Sequence, residues 1–290
     1  CYFDGYKSCS WDAGPGFLSQ DYYDGYDDYF SPAGKFGDSE GWNLKYGTIG
    51  SSQADITNVY LYYLTPGDVV ADPRGGNHTV AYTNVMFGME RMKKNGTFAL
   101  DFEFNQMPWT WPSLPCTDCG PVRTPGDVLV GFELAGNPTD PTEDLEILIA
   151  RYDDVYVGKE TFCDPNFYDP SQIEGCTLGT TECNVYSSKD APGWCMVFKG
   201  NATAISDFGY ATMNPGDIRE PPWGSLDSSG SERDAIPAFM FAEAGLNFTA
   251  LGVEPECPGF GSVHAKSRSS ISASADLKDV LPPITMPVQC

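Results

Sequence analysis

The chain has 290 residues, and its 17 Lys and Arg against 40 Asp and Glu leave a net charge of −23 at neutral pH. This negative field repels nucleic-acid phosphates and anionic lipid headgroups, so the composition argues against nucleic-acid binding and electrostatic docking on membranes. No stretch approaches the roughly 18 consecutive apolar residues of a membrane-spanning helix, so we expect no membrane insertion.

Residues 1–41 are rich in Tyr, Asp and Gly and show little periodicity, so we interpret them as an N-terminal extension. An EF-hand calcium loop requires acids at its first, third and fifth positions followed by Gly, and the aspartates between Asp21 and Asp28 fail that spacing. Calcium held by oxygen ligands from distant segments stays an alternative to a solvated acidic loop. We predict no other metal and no cofactor.

Strands are predicted at Trp42–Tyr46, at Asp55–Leu64 and, with the strongest signal, at Thr97–Gln106. In the last segment Phe and Leu alternate with small or polar residues, among them Asp101 and Glu103. Successive side chains of a strand point to opposite faces, so this pattern predicts one apolar wall in a core and one wall that carries acids.

Val85–Met92 is predicted to be the partner of that strand. Lys93–Gly96 separates the two, and its Asn-Gly dipeptide favours a hairpin turn because both residues tolerate positive φ. We therefore predict a central antiparallel hairpin in which Glu90 or Arg91 faces the acids of the second strand as a salt-bridged patch.

An irregular segment, Met107–Arg123, follows the central strand. Trp109 and Trp111 share a face if the chain is extended, and such pairs can stack on sugar rings or cap the end of a core. Cys116 and Cys119 form a lone Cys-x-x-Cys without the second cysteine pair of a zinc site or the helix of a redox motif, which favours a small disulfide loop.

Asp127–Leu134 and Asp144–Ala150 alternate apolar and polar residues around a Pro-rich turn and predict a second hairpin. Later strands are predicted at Trp194–Phe198, within Pro237–Leu251, where the strand runs into one helical turn, and within Ser262–Leu277. In the last of these, Ile271, Ala273 and Ala275 alternate with serines.

These elements predict an all-β fold, an antiparallel two-sheet sandwich of the jelly-roll or concanavalin-A-like kind with long disulfide-stapled loops. The predicted sandwich domain spans 42–279, between the extension at 1–41 and a Pro-rich tail at 280–290.

The tail shows strand periodicity, because Ile284, Met286 and Val288 alternate with Thr, Pro and Gln. Its prolines forbid a central strand but allow an edge. Such a segment can add to the open edge of a neighbouring subunit, and head-to-tail addition of this kind makes filaments. The alternative is that the tail lies along its own domain.

Ten cysteines form an even set, mostly in loops rich in Gly, Pro and Asp, which is typical of disulfides in an oxidising compartment. The shortest loops favour one set of pairs but leave other pairings open: Cys1–Cys9, Cys116–Cys119, Cys163–Cys176, Cys183–Cys195 and Cys257–Cys290.

Four Asn-x-Thr sequons support the same compartment, at Asn77, Asn95, Asn201 and Asn247. We therefore predict an extracellular, N-glycosylated protein. The alternative that some of these sequons stay unused is open.

Three patches carry a resemblance to a known family. They are Asn58–Tyr63 ahead of Met89–Thr97 (MERMKKNGT), then Asp101–Gln106 (DFEFNQ), and finally Ala265–Asp279 (AKSRSSISASADLKD). Together they resemble the uncharacterised jelly-roll domains of large secreted and surface proteins, over roughly Trp42 to Asp279. The resemblance implies a concanavalin-A-like sandwich and lends no catalytic residues. The cysteine-dense region 163–195 departs from that family's pattern.

The enzymatic alternative is a sandwich glucanase of the laminarinase type. Such enzymes carry Glu-x-Asp-x-x-Glu on a core strand. Retaining hydrolysis needs two carboxyls about 5 Å apart, and Asp101 and Glu103 share one face. Gln106 stands where the last Glu would fall, and an amide cannot donate and recover a proton. With His78 and His264 as the only histidines, a Ser-His-Asp triad also lacks candidates.

We therefore predict no catalytic residues and a non-catalytic extracellular structural glycoprotein. Its partners are predicted to be its own glycans and further copies of itself, joined head to tail in a surface filament or coat. The first alternative is a lectin-like, carbohydrate-binding adhesin domain. The second is a glycan hydrolase of the sandwich-glucanase type.

Overall fold

The computed structural model describes residues 16–20, 27–30, 41–47, 49, 54–71, 76–152, 193–219, 225, 227, 231–252, 259–272 and 275–286. Within these ranges the chain forms 18 strands and no helix. The strands are β1 (Gly16–Gln20), β2 (Asp27–Phe30), β3 (Leu44–Gly47), β4 (Ile56–Leu64), β5 (Val69–Ala71), β6 (Asn77–Thr79), β7 (Asn84–Arg91), β8 (Phe98–Asn105), β9 (Val128–Leu134), β10 (Leu145–Tyr152), β11 (Trp194–Asn201), β12 (Gly209–Met213), β13 (Ile218–Arg219), β14 (Ala235–Ile236), β15 (Phe241–Asn247), β16 (Ser262–Arg268), β17 (Leu277–Val280) and β18 (Ile284–Thr285).

Two antiparallel sheets pack face to face as a β-sandwich. The smaller sheet has five strands in the order β1-β4-β7-β15-β12. The larger sheet has nine strands in the order β11-β10-β9-β8-β16-β17-β2-β3, with β18 paired to β16. β5 with β6, and β13 with β14, form separate two-stranded ribbons. The described chain is therefore all-β, as the sequence predicts.

The core between the sheets is built on the apolar wall of β8. Its four Phe and Leu side chains are buried in one cluster with the inner faces of both sheets. Phe87 of β7 lies across from this wall, with its ring centroid 5.0 Å from that of Phe102 and 5.5 Å from that of Phe104. Full burial of each such ring stabilises the fold by about 1.5–3 kcal/mol, so this contact helps to hold the two sheets together.

A second apolar cluster covers the outer face of the larger sheet. Its buried members include Phe30, Trp42, Leu129, Leu148 and Trp194, and Trp109 and Trp111 pack against it. Because both faces of the larger sheet are covered, every residue of β8 is buried. The wall that carries the acids therefore lies in the interior and not at the surface.

The predicted central hairpin is wrong. β7 pairs with β4 and β15 in the smaller sheet, whereas β8 pairs with β9 and β16 in the larger sheet. Gly96 does adopt a positive φ of 93°, so the turn is present, but it carries the chain from one sheet to the other. Phe87 of β7 and Phe102 of β8 meet across the core, and both edges of each strand are paired to other strands of its own sheet.

Most other strand predictions are confirmed. β9 and β10 form the second predicted hairpin, β3, β4 and β11 lie where strands were expected, and β15 is followed by a turn over 248–252. The late strand is displaced, because β16 ends at Arg268 and Ile271 lies in a bend beyond it. Ala273 lies outside the described residues.

Both predicted end segments contribute strands to the sandwich. β1 and β2 fall within 1–41 and pair with β4 and β3. The expected boundary after Asp279 falls inside a stretch that pairs with β16. In this stretch β17 and β18 both pair with β16, and between them the Leu281 N–H donates to the Ala265 carbonyl at 2.9 Å.

The predicted disulfide loop between Cys116 and Cys119 is confirmed, and Cys195 is disulfide-bonded as well. The other predicted pairs involve residues outside the described ranges: Cys1, Cys9, Cys163, Cys176, Cys183, Cys257 and Cys290. In the part of the chain that the structure describes, no helix is long and apolar enough to cross a membrane.

Candidate functional site

Several buried charged residues lie together on the outer face of β8 and β16. Antiparallel register places Glu103 opposite His264 and Asp101 opposite Lys266. Side chains alternate along a strand, so the acids of β8 and the basic residues of β16 project from the same face. All four are at most 1% exposed, which makes this a buried charge cluster.

Glu103 is the centre of the cluster. Lys266 Nζ lies 2.5 Å from Glu103 Oε2, and Arg123 donates to both carboxylate oxygens, from Nε at 2.8 Å and from Nη2 at 3.0 Å. Asn105 Nδ2 donates to Oε1 at 3.1 Å. The carboxylate is thus fully engaged by two cations and an amide, which is the geometry that a buried charge requires.

The protonation states follow from these contacts. Burial raises the pKa of Glu103, but the charges of Arg123 and Lys266 outweigh burial and hold that pKa well below its usual range. Burial, reinforced by the positive charge of Lys266, lowers the pKa of His264 well below its usual value. At neutral pH the cluster therefore holds Glu103 as an anion and His264 as a neutral ring.

Asp101 forms a second ion pair beside the first. Arg268 Nη2 lies 2.7 Å from Asp101 Oδ1, and Arg268 Nη1 donates to the carbonyls of Ile271 and Ser272 at 3.0 and 2.8 Å. Gly131 on β9 is required here, because a Cβ at that position would lie 2.8 Å from Asp101 Oδ1. The neighbouring strand thus leaves the space that the carboxylate occupies.

Asp127 anchors the loop that follows β8. It accepts hydrogen bonds from the backbone N–H groups of Gln106 and Thr124, at 2.8 and 2.9 Å, and from Asn105 Nδ2 at 3.1 Å. Burial raises the pKa of Asp127 despite these donors. Gln106 Nε2 donates to the Pro125 carbonyl at 2.6 Å, so the residue in the position of the glucanase acid holds the loop in place.

Aromatic rings close the cluster from outside. The Arg123 guanidinium carbon lies 5.5 Å from the ring centroid of Trp42 and 5.1 Å from that of Trp194. The Trp109 ring lies 4.7 Å from His264, and its Nε1 donates to the Cys119 carbonyl at 3.0 Å. Low-polarity walls strengthen each ion pair and exclude water from it.

The predicted contact of Glu90 or Arg91 with Asp101 and Glu103 is wrong, because β7 lies in the other sheet. Glu90 accepts hydrogen bonds from Tyr60 and Ser225, whereas Arg91 donates to the carbonyls of Phe239 and Gly96, each at 3.2 Å. These bonds fix the segments that lie over the smaller sheet.

The other predicted site residues are dispersed. Trp111 is partly exposed with its ring 5.4 Å from Trp109, and Asn77 and Asn95 are exposed, whereas Asn201 and Asn247 are partly buried. Met286 is buried and Ile284 packs on the core, and Val288 lies outside the described residues.

The basic half of the cluster was not identified from sequence. Its signal is the alternation in Ser262–Arg268, where His264, Lys266 and Arg268 occupy every second position.

No group of three or more His, Cys, Asp or Glu among the described residues is arranged to hold a metal ion. Comparison of the chain with protein-family models, with curated proteins and with solved structures found no match.

Proposed function

We propose that the protein is a non-catalytic extracellular structural glycoprotein, a subunit of a surface filament or coat. The observation that carries the non-catalytic part of this proposal is the closure of the charge cluster. Asp101 and Glu103 are 0% exposed, and each is bound by a cation. A glycosidase acid must reach its substrate and exchange a proton, whereas Glu103 is sealed and held ionised. The cluster is therefore assigned to holding the outer loops on the sheet.

We also propose a specific topology for the sandwich. A jelly-roll or concanavalin-A-like topology is supported by the two packed antiparallel sheets and by the sequence patches that resemble such domains. Disulfide-stapled loops and secretion are supported by the Cys116–Cys119 bond and by the sequons. Carbohydrate binding is less favoured, because Trp109, one of the two predicted sugar-stacking residues, is committed to His264 and Cys119.

Self-association is assigned to the segment 281–286. The structure places it along the chain's own β16, with Met286 N–H bonded to the Gly261 carbonyl at 3.0 Å and Ile284 packed on the core. Every copy has the same segment and the same binding position along β16. The segment of one copy can therefore bind β16 of another copy through the same contacts that it makes within its own chain. We propose this exchange in trans as the head-to-tail link of the filament.

The test is to lock the segment onto its own strand. Ser262 and Thr285 are paired residues of β16 and β18, so the double variant Ser262→Cys/Thr285→Cys can form a cross-strand disulfide. The parent chain and the single variant Thr285→Cys, which cannot form the lock, are concentrated beside it. Negative-stain electron microscopy and sedimentation velocity then report assembly.

We expect filaments from the parent and from the single variant, and monomers from the locked double variant. Filaments from the double variant, with its new disulfide shown by non-reducing gel electrophoresis to lie within one chain, would show that exchange of 281–286 is not the link. A parent chain that stays monomeric at millimolar concentration would overturn the structural-subunit proposal itself.

A further inference from the structure

The four sequons differ in whether the folded chain leaves their reacting groups open. Asn77 and Thr79 are exposed on β6, and Asn95 and Thr97 are exposed on the connection between the sheets. Among the described residues, none of these four side chains forms a hydrogen bond. Gly96 between the latter two is held by bonds from its N–H to the Gly136 carbonyl and from Arg91 to its own carbonyl, at 3.1 and 3.2 Å. The Asn95 sequon is thus a rigid loop with a free amide.

The Asn201 sequon is closed by Glu143. Asn201 Nδ2 donates to one oxygen of this carboxylate, and Thr203 Oγ1 donates to the other at 2.8 Å. Asn201 Oδ1 also accepts the backbone N–H of Ala204 at 3.0 Å. Both side chains of the sequon are therefore occupied at once.

The Asn247 sequon is closed by the fold itself. Asn247 Oδ1 accepts the Ala250 N–H at 2.9 Å, and Thr249 Oγ1 accepts the Thr83 N–H at 3.0 Å. The middle residue, Phe248, is 0% exposed, with its ring 5.3 Å from Phe104 in the core. Presenting this sequon to an enzyme would require withdrawing Phe248 from the core, which costs several kcal/mol.

N-glycosylation places a sugar on the Asn amide nitrogen from a lipid-diphosphate-linked oligosaccharide. The Nδ2–C1 bond forms, the C1–O bond to the diphosphate breaks, Nδ2 loses one proton, and the lipid diphosphate leaves with the bonding electrons. The enzyme must hold the Asn amide and the Thr hydroxyl of one sequon together. We propose that glycosylation of the folded chain takes place at Asn77 and Asn95, and that Asn201 and Asn247 stay unmodified in the folded state. This proposal rests on the glycoprotein character proposed above.

The experiment uses the full-length folded chain, produced without glycans and with its disulfides oxidised. It is incubated with an oligosaccharyltransferase and its lipid-diphosphate-linked oligosaccharide, and the occupancy of each sequon is measured by mass spectrometry of tryptic peptides. Four synthetic peptides, one for each sequon, show that the enzyme accepts all four sequences. The variant Glu143→Ala opens the Asn201 sequon. Its control is Glu146→Ala, which removes a carboxylate of β10 that lies opposite Asn201 and pairs instead with Lys199 of β11.

We expect Asn77 and Asn95 to be at least tenfold more occupied than Asn201 and Asn247. Occupancy of Asn201 should rise in Glu143→Ala and stay low in Glu146→Ala. Equal occupancy of all four sequons, or an unmodified Asn77 and Asn95 beside accepted peptides, would overturn the assignment. Filament formation is scored separately with the locked variant, so failure of one proposal is distinguished from failure of the other.

Discussion

Replacing Glu103 by Gln tests whether the buried charge cluster holds the sandwich together. Glutamine keeps the shape of the side chain but removes the charge, and it leaves Lys266 and Arg123 in the interior without their shared anion. Both cations are at most 3% exposed, so water does not replace the lost partner. Breaking such a buried pair typically costs about 3–5 kcal/mol, a large part of the total stability of a domain.

Removing the cation instead should cost less. In Lys266→Met, Glu103 keeps both hydrogen bonds from Arg123, so the remaining charge is still paired, and we expect a loss of about 1–3 kcal/mol. In the double variant Glu103→Gln/Lys266→Met, one of the two stranded cations is gone. The free energy of unfolding that the double variant loses should therefore be smaller than the sum of the two single losses by at least about 1 kcal/mol.

The assay is equilibrium urea unfolding at pH 7.5 followed by tryptophan fluorescence, with disulfides kept oxidised. Lys199→Met serves as the matched control, because its pair with Glu146 is exposed and worth about 0–1 kcal/mol. A loss below about 1 kcal/mol for Glu103→Gln, or strictly additive single losses, would refute the reasoning that the cluster acts as one unit.

Two further predictions concern His264 and Phe87. Burial lowers the pKa of His264, so below about pH 6.5 the unfolded chain binds a proton that the folded chain does not. The free energy of unfolding should therefore fall by about 2 kcal/mol between pH 8 and pH 5. Urea unfolding across this range should show the fall in His78→Gln but not in His264→Gln, and equal slopes would contradict it. Phe87→Ala should lose about 3–5 kcal/mol in the same assay, against under 0.5 kcal/mol for the exposed Val69→Ala, and similar losses would mean that the sheets do not depend on this ring.

The strands of the fold follow from local alternation, but their partners do not. The signal in Lys93–Gly96 correctly predicts a turn with positive φ at Gly96. Whether the flanking strands pair or stack depends on which other strands occupy their edges, and two of those strands, β15 and β16, lie far away in sequence. β7 has partners in β4 and β15, and β8 has partners in β9 and β16, so no edge is left for the two to pair.

The candidate site was half visible in the sequence. Asp101, Glu103 and Asn105 alternate on β8, and His264, Lys266 and Arg268 alternate on β16 with the opposite charge. Two complementary patterns of the same period predict antiparallel neighbours once they are compared. The role of Arg123 could not be read in this way, because it comes from an irregular loop whose path depends on Asp127 and the tryptophans.

The pairing of β8 with β16 also determines when the chain can fold. During synthesis β9 and β10 follow β8 within about fifty residues, but β16 begins only at Ser262. Until then Glu103 faces no lysine, and β8 presents an open hydrogen-bonding edge to whatever lies nearby. We therefore expect a growing chain to stay vulnerable to aggregation until β16 has emerged, and its folding to be slow, because strands distant in sequence must pair.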